Sequence, residues 1–289
     1  MLSAGPNDPI IERIRRELRS LGYVDGQTIR IEYRGAQGQV DRLPRLAQEL
    51  VELKVDVMIV GGESIARAAK QATTTIPIVM VANDYDPVAA GLVDSLSRPG
   101  GNVTGVFPRT SDLLGKNLEL FKELLPGLSR VAVLYDAFGT RQLEALKPAA
   151  RALGVQLLPV EVLPPYDYNA AFKDAKKKKP DALMVLGSAH SYVARDQIAK
   201  LALQHKLPIM AQGDTLVRAG GLISYGPDQL ATFGRTAYFV DRVLKGASPA
   251  GLPIEQPTQY FLVVNLRTAK ALGITVPESI LLRADEVIR

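Results

Sequence analysis

The chain has 289 residues, of which 47% are hydrophobic and 22% are charged, and its formal net charge is +5. The length exceeds the roughly 100 to 150 residues of a typical domain and the apolar content excludes a disordered chain, so two compact lobes are expected. The absence of cysteine excludes disulfides and thiolate metal sites, and the scattered basic residues argue against a nucleic-acid surface.

Amphipathic helices and short apolar strands alternate through the first part of the sequence. The predicted helices are 9–21, 43–53, 64–72 and 86–96. The predicted strands are 28–33, 55–60, 76–81 and 103–107. Gly22 ends the first helix, whose isoleucines and leucines share one face. This alternation is typical of parallel sheets covered by helices.

The same rhythm continues from Val131. The predicted strands of this second series are 131–135, 155–160, 182–186, 209–211 and 222–225. Its predicted helices are 142–153, 168–178 and 192–205. A long helix over 229–244, a proline-rich linker and a strand at 260–264 follow. A lone helix and a lone strand after two complete series indicate that the chain crosses between the lobes more than once.

One pattern occurs twice: an aspartate, an apolar run, a glycine and a serine, followed later by a proline between aliphatic residues. The first copy runs from Asp56 to Ser64, and the second runs from Asp181 to Ser188. We therefore predict an α/β fold of two doubly wound parallel-sheet lobes joined by a multi-crossover hinge. The predicted lobes are 1–107 with 227–257, and 108–226 with 258–289.

Candidate binding residues follow the predicted strands, because ligands of open parallel sheets bind beyond the carboxyl ends of the strands. The residues at these positions are rich in hydroxyls, amides, carboxylates and aromatic rings, which suit a small polar solute. The candidates are Ser3, Gly62, Glu63, Ser64, Asn83, Asp84, Asp136, Phe138, Ser188, His190, Gln212, Asp214 and Tyr225. We expect the two lobes to bring them to one cleft.

The chemistry of these side chains suits an amino acid. The N–H groups of a helix opened by Ser64 can hold a carboxylate, and Asp84, Asp136 or Asp214 can pair with an ammonium group. Some candidates also have a purely structural interpretation: Ser64 as a helix N-cap, Asp214 as a turn residue and His190 as a solvated side chain.

Catalytic motifs are poorly represented in the sequence. Gly62-Glu63-Ser64 approximates a nucleophile elbow, but a serine hydrolase would also need an acid and a base, such as Asp181 with His190 or His205. The sequence contains no phosphate-binding or dinucleotide-binding glycine motif, and no cluster of histidines and carboxylates indicates a metal site. We therefore expect no catalytic residue, no cofactor and no metal.

Three segments carry a resemblance to a known family: Leu21 to Gln27, Asp86 to Val93 and Arg98 to Gly105. With Gln212 to Asp214 and Tyr225-Gly226, they resemble the ABC-transporter substrate-binding proteins of the tryptophan-binding type over nearly the whole chain. The resemblance implies the type I periplasmic binding fold, whose lobes close on a solute. It places the pocket on Gly62 to Ser64, Asn83, Asp84, Asp136, Ser188 and Asp214.

The resemblance also implies partners and a location. A receptor of this kind is periplasmic or otherwise extracytoplasmic and delivers its solute to ABC permease subunits in the membrane. We expect a monomer with no nucleic-acid partner, and the candidate solutes are aromatic or branched amino acids and related aromatic acids. Gln212 replaces an acidic residue of the family pattern, which leaves the charge of the solute open.

The N-terminal sequence bears on that location. Asp8 and Pro9 begin a helix after only a short apolar segment, so we expect a first strand and a leader upstream of this numbering. No apolar run approaches the roughly 18 residues of a membrane span. The alternatives are a cytosolic ligand sensor of the repressor type with the same fold and, third, a serine hydrolase that uses Ser64.

Overall fold

The structure is a computed structural model that describes residues 9–36, 39–83 and 85–289. Two of the candidate binding residues, Ser3 and Asp84, lie outside the described residues. The chain divides into two compact units: unit 1 comprises residues 1–109 and 230–258, and unit 2 comprises residues 110–229 and 259–289. The chain passes between them after residues 109, 229 and 258. The crossings predicted from the sequence come after residues 107, 226 and 257.

Helices and strands alternate along the chain. Up to residue 109 the described elements are α1 (Pro9–Ser20), α2 (Leu43–Glu52), β1 (Met58–Gly61), α3 (Glu63–Ala72), β2 (Ile78–Val81) and β3 (Val103–Val106). Residues 110–226 form α4 (Leu114–Leu124), β4 (Arg130–Tyr135), α5 (Thr140–Ala152), β5 (Gln156–Glu161), α6 (Tyr168–Lys177), β6 (Ala182–Val185), α7 (Ala189–Val193), α8 (Arg195–Gln204), β7 (Ile209–Ala211), α9 (Asp214–Arg218) and β8 (Ile223–Gly226). The remainder forms α10 (Gln229–Gly234), α11 (Thr236–Leu244), β9 (Phe261–Asn265), α12 (Leu266–Leu272), α13 (Glu278–Leu281) and β10 (Glu286–Ile288).

Unit 1 contains a parallel sheet in the order β1-β2-β3, with helices on both faces. On one face α1 and α11 form an apolar cluster with Val79 and Val106. On the other face the leucines of α2 and the alanines of α3 pack against neighbouring strand residues. The helix α1 buries Ile11, Ile14 and Leu18, which recur at helical spacing; burial of each contributes about 1.5 to 3 kcal/mol.

Residues 28–33 are not a strand, although the sequence predicted one. The backbone N–H of Val24 donates to Thr28 Oγ1 at 2.7 Å, and the N–H of Ile31 donates to Asp25 Oδ1 at 3.0 Å. The N–H groups of Thr28 and Ile29 donate to the carbonyl of Val24, so backbone donors at the start of the predicted strand form a turn and do not pair with a neighbouring strand.

The helix predicted from residue 86 to 96 is also absent, since the structure has a series of turns there. Asp86 Oδ1 accepts from the N–H groups of Val88 and Ala89 at 2.8 and 3.3 Å, so this side chain caps a single turn. Gly91 then takes a left-handed φ of 68°, which stops any helix after a single turn.

Unit 2 contains a sheet in the order β10-β9-β8-β7-β6-β4-β5. The predicted fold class, α/β with mainly parallel sheets, is confirmed. One pair differs: β8 and β9 are antiparallel, with Ile223 opposite Val264 and Tyr225 opposite Leu262. The chain reaches β9 from unit 1 rather than through a crossover helix within unit 2, so the parallel direction is not imposed on this strand.

Helices cover both faces of this second sheet. The helices α4 and α5 pack on one face, where Phe121 is fully buried, and α6, α8 and α9 pack on the other, where Phe172 is fully buried. The described helices of residues 9–36, 39–83 and 85–289 include none that combines the length and apolar character needed to cross a bilayer.

Asn265 joins two elements of unit 2, and we expect Asn265→Ala to lower the free energy of unfolding by about 1 to 3 kcal/mol. Its Oδ1 caps α12 by accepting from the N–H of Thr268 at 3.1 Å, and its Nδ2 donates to the carbonyl of Val217 at 3.0 Å. The side chain is buried, so both partners would lose their bonds without gaining water. Urea denaturation measures the loss. The exposed cap Asp167→Ala is the control and should cost less; an equal cost would contradict the argument.

Candidate functional site

The candidates of unit 2 lie at one edge of its sheet, because β8, β7, β6 and β4 are consecutive neighbours and are parallel. Residues at or after the carboxyl ends of these strands are Tyr225, Gln212, Asp214, Ser188 and Asp136. His190 lies in α7, which follows β6. Phe138 lies in a short 3-10 helix after β4; only its backbone belongs to the described part of the chain. The fold therefore places these residues as the sequence predicted, while their contact with a solute stays a prediction.

Gln212 is held in a ring of amide hydrogen bonds. Its Oε1 accepts from the N–H of Gly187 at 2.8 Å, and its Nε2 donates to Gln142 Oε1 at 2.6 Å. Gln142 closes the ring, since its Nε2 donates to the carbonyl of Gly187 at 2.9 Å. Gly187 leaves room for the ring, because an added Cβ would lie 2.6 Å from Gln212 Oε1. Both polar groups of Gln212 are thus used inside the protein.

Replacing Gln212 with leucine should lower the free energy of unfolding by about 1 to 3 kcal/mol, because the amide ring is opened and a buried group of Gln142 loses its partner. Denaturation followed by circular dichroism measures the change. The double variant Gln142→Leu with Gln212→Leu should cost less than the sum of the single variants, because it removes both members of one pair. Additive costs would contradict a coupled ring.

The buried Asp136 pairs with the partly exposed His190 at the same edge. Asp136 is 4% exposed, and its Oδ2 lies 3.0 Å from Nδ1 of His190. The imidazole stacks on the ring of Tyr166, with 3.8 Å between ring centroids and 21° between planes. Burial and, second, the Asp136 carboxylate raise the pKa of the Tyr166 phenol above its usual value. Asp136 and His190 thus place polar atoms beside the aromatic ring of Tyr166.

Two further candidates make structural contacts. Ser188 is the N-cap of α7: its Oγ accepts from the N–H of Ser191 at 3.1 Å, and Ser191 Oγ accepts from the N–H of Ser188 at 2.9 Å. This reciprocal cap fixes the turn after β6. Tyr225 is half-buried and lies against Tyr260, with 6.1 Å between ring centroids.

Asp214 has one carboxylate oxygen that is paired and one that is not. Its Oδ2 accepts from Nε of Arg218 at 2.8 Å. Its Oδ1 is buried and has no hydrogen-bond partner within the part of the chain that the structure describes. Arg218 is fixed in turn by Glu286 of β10, to which its two terminal nitrogens donate at 2.8 and 2.7 Å. A buried carboxylate oxygen without a partner is costly, which makes Asp214 the candidate best suited to accept from a ligand.

The candidates of unit 1 surround the start of α3. Gly62 has a φ of 90° and lets the chain turn from β1 into α3, whose first residue is Glu63. Ser64 therefore lies within the first turn of the helix, and its interpretation as the N-cap was wrong. Glu63 pairs with Arg67 one turn later at 2.9 Å. Asn83 is half-buried and follows β2, the strand beside β1.

The acid and the two candidate bases of the hydrolase alternative, all in unit 2, are not brought together. Asp181 precedes β6, and its Oδ2 accepts from the N–H groups of Ser129 and Arg130 at 2.9 and 2.8 Å. His190 follows β6 at the opposite end of the strand and contacts Asp136. His205 stacks on Phe172 in the core. The spacing that would suit a catalytic triad in the sequence therefore has no counterpart in the fold.

Four residues of this edge were not predicted from the sequence: Gln142, Tyr166, Arg218 and Glu286. Arg218 follows Asp214 by four residues, which is the spacing of a helical ion pair and could have indicated it. No sequence signal joins Gln142 to Gln212 or Glu286 to Arg218, because these partners come from separate elements. No group of residues that could hold a metal ion occurs among residues 9–36, 39–83 and 85–289.

Comparison with known proteins identifies a family that matches the chain from end to end. The sequence profile of the ABC transporter substrate binding proteins matches residues 2–288. A tyrosine-binding protein of Clostridioides difficile (strain R20291) is 31% identical over 264 residues, which cover 90% of this chain and 75% of that protein. The resemblance inferred from the sequence is confirmed by these matches.

Solved structures agree with this result. A conserved domain protein of Vibrio cholerae O1 biovar El Tor is 30% identical, covers 99% of this chain and 98% of its own, and has a TM-score of 0.86. An ABC domain from Streptococcus pneumonia in complex with L-Trp is 28% identical, covers 99% of this chain and 97% of its own, and has a TM-score of 0.85. The fold is that of the type I periplasmic binding proteins.

Proposed function

From its membership of the ABC transporter substrate-binding protein family, we propose that this chain binds an amino acid with an aromatic or branched side chain, or a related aromatic acid, for import. The observation that carries the proposal is the carboxylate of Asp214, whose Oδ1 is buried and lacks a partner among the described residues. An ammonium group of a solute would supply the missing donor with an opposite charge.

The first turn of α3 would hold the other end of the solute. Its leading N–H groups have no partner within the helix and carry a partial positive charge, which favours a carboxylate. Glu63, the one acidic side chain of that turn, is paired with Arg67. Gly62, Ser64 and Asn83 would line this end, while Asp136, Ser188, His190, Tyr225 and Asp214 would line the end in unit 2.

An aromatic solute is favoured by the relatives and by the rings in unit 2. One relative is a tyrosine-binding protein and another was solved with L-Trp. Tyr166 and Tyr225 lie at the edge where β4, β6, β7 and β8 end, and such rings provide stacking surfaces. We propose that the solute contacts both units and so favours a closed state by its differential affinity for that state.

The remaining parts of the proposal follow from the family. The chain would be a non-enzymatic, extracytoplasmic receptor that acts as a monomer and delivers its solute to ABC permease subunits. No nucleic-acid partner is proposed, since the basic residues are scattered along the sequence.

A thermal-shift screen followed by calorimetry tests the proposal. L-tyrosine, L-tryptophan, L-phenylalanine, L-leucine, benzoate and a set of sugars would be added at rising concentration. A solute at 100 times its dissociation constant adds about 2.7 kcal/mol to the free energy of unfolding, which raises the melting temperature clearly. A response to aromatic or branched amino acids or to benzoate supports the proposal. A response to sugars alone, or to none of these solutes, contradicts it.

A further inference from the structure

Asp214, Arg218 and Glu286 form a row of hydrogen-bonded charged side chains that leads from the end of β7 to β10, the C-terminal strand. Glu286 of β10 accepts from both terminal nitrogens of Arg218, with its two oxygens 2.8 and 2.7 Å away. Arg218 in turn donates through Nε to Asp214 Oδ2 at 2.8 Å. The hydrogen bonds that Arg218 donates to Glu286 and, second, to Asp214 raise the pKa of its guanidinium above the usual value, and arginine is already charged at neutral pH.

The geometry fixes the carboxylate of Asp214. A guanidinium is planar and rigid, and the bidentate pair with Glu286 orients that plane. Since Nε lies in the same plane, the direction of its bond to Asp214 Oδ2 is also fixed. Because the side chain is also attached to the backbone of α9, holding Oδ2 in place restricts rotation about χ1 and χ2 and so restricts the position of Oδ1. Oδ1 is the oxygen that is buried without a partner in the described part of the chain.

The charges of the three side chains leave one negative charge unbalanced. Two carboxylates share one guanidinium, so the group has a net charge of −1. Arg218 and Glu286 are 50% and 42% exposed, whereas Asp214 is 15% exposed. An ion pair between exposed groups adds little to stability, so stability alone does not account for this arrangement. Because Arg218 makes two bonds to Glu286 and one to Asp214, the less neutralised carboxylate is that of Asp214, the most buried of the three side chains.

We propose that Arg218 and Glu286 are positioning residues that hold Asp214 for the amino group of the solute and make the site selective for that group. This inference rests on the proposed function. Glu286 keeps Arg218 from neutralising Asp214 completely, and Arg218 keeps Oδ1 directed at the solute. The C-terminal strand would thus contribute to amino-group selectivity although none of its residues contacts the solute.

The test compares each amino acid with its analogue that lacks the amino group. The amino acid used is L-tyrosine or L-tryptophan, whichever the wild type binds more tightly. The analogue is 3-(4-hydroxyphenyl)propanoate for L-tyrosine and indole-3-propanoate for L-tryptophan. Both affinities are measured by calorimetry and by competition. Glu286→Gln removes the excess charge, and Arg218→Lys keeps the charge but removes the planar fork. Each variant should lower the ratio of the two affinities about 3- to 10-fold, and the affinity for the analogue should stay within about 2-fold of the wild-type value.

Two controls separate positioning from general stability. Glu123→Gln breaks an ion pair of similar exposure in the same unit, with Arg283, and should leave both affinities unchanged. In the Asp214→Asn background, Glu286→Gln should have no further effect, because it acts through Asp214. If the wild type prefers the amino acid and Asp214→Asn removes the preference, but Glu286→Gln and Arg218→Lys retain it, the positioning role is refuted and the proposed function stands. If the wild type binds an aromatic acid such as benzoate but no amino acid, the positioning role is refuted and the proposed function stands. If it binds none of these solutes, both proposals fail.

Discussion

Replacing Asp214 with asparagine should weaken the binding of an amino acid about 30- to 150-fold, which corresponds to about 2 to 3 kcal/mol. Arg218 donates to one side-chain oxygen at position 214, so the asparagine would direct its oxygen to Arg218 and its NH₂ group to the place of Oδ1. Two N–H donors would then face the ammonium group of the solute. The variant thus loses an attraction and gains a repulsion, which isothermal titration calorimetry would measure.

A matched control is available in α6, where Asp174 pairs with Lys178 four residues later at 2.8 Å. Asp174→Asn changes the net charge by the same amount but lies in an exposed ion pair, so the affinity should stay within about 2-fold. The melting temperature of Asp214→Asn without solute should remain close to that of the wild type, because the bond to Arg218 is kept and a partnerless carboxylate oxygen is replaced by a neutral NH₂ group. An affinity unchanged by Asp214→Asn would remove Asp214 from the site.

The sequence predicted the order of elements well because the pattern that encodes them is local. The apolar runs at β1, β2 and β6 and the helical spacing in α1 each lie within about a dozen residues. The predictions failed where a side chain competes with the backbone. Thr28 and Asp25 accept from backbone N–H groups in a segment whose apolar residues resemble a strand.

The candidate site was predictable only in part for a related reason. The rule that ligands bind beyond strand ends located Gln212 and Asp214 without knowledge of their surroundings. It could not show that Gln212 donates to Gln142, seventy residues earlier in the chain. Nor could it show that Arg218 links Asp214 to Glu286. Such partners come together through tertiary packing, and single-sequence periodicity does not record them. Only the fold therefore shows that the polar groups of Gln212 are bonded within the protein and that Asp214 has an oxygen without a partner in the described part of the chain.

The largest effect on stability is expected for Gly105→Ala in β3. Gly105 has a φ of 140°, which residues with a side chain rarely adopt, and it lies opposite Met80 in the parallel pairing of β2 with β3. An added Cβ would overlap the carbonyl oxygen and the amide nitrogen of Met80. Because these are backbone atoms, the overlap can be relieved only by moving one strand. We expect a loss of about 4 kcal/mol or more, measured by denaturation and by hydrogen exchange of the amides of unit 1.

Gly101 provides the control, because it precedes the same strand and an added Cβ there meets no atom within 4 Å. Gly101→Ala should change the free energy of unfolding by less than about 0.5 kcal/mol. The same β2 leads into Asn83, so displacement of β2 in Gly105→Ala should also weaken solute binding in any fraction that remains folded. If Gly105→Ala were as stable as Gly101→Ala, the strand pairing at Met80 would have to differ from the one described, and with it the placement of Asn83.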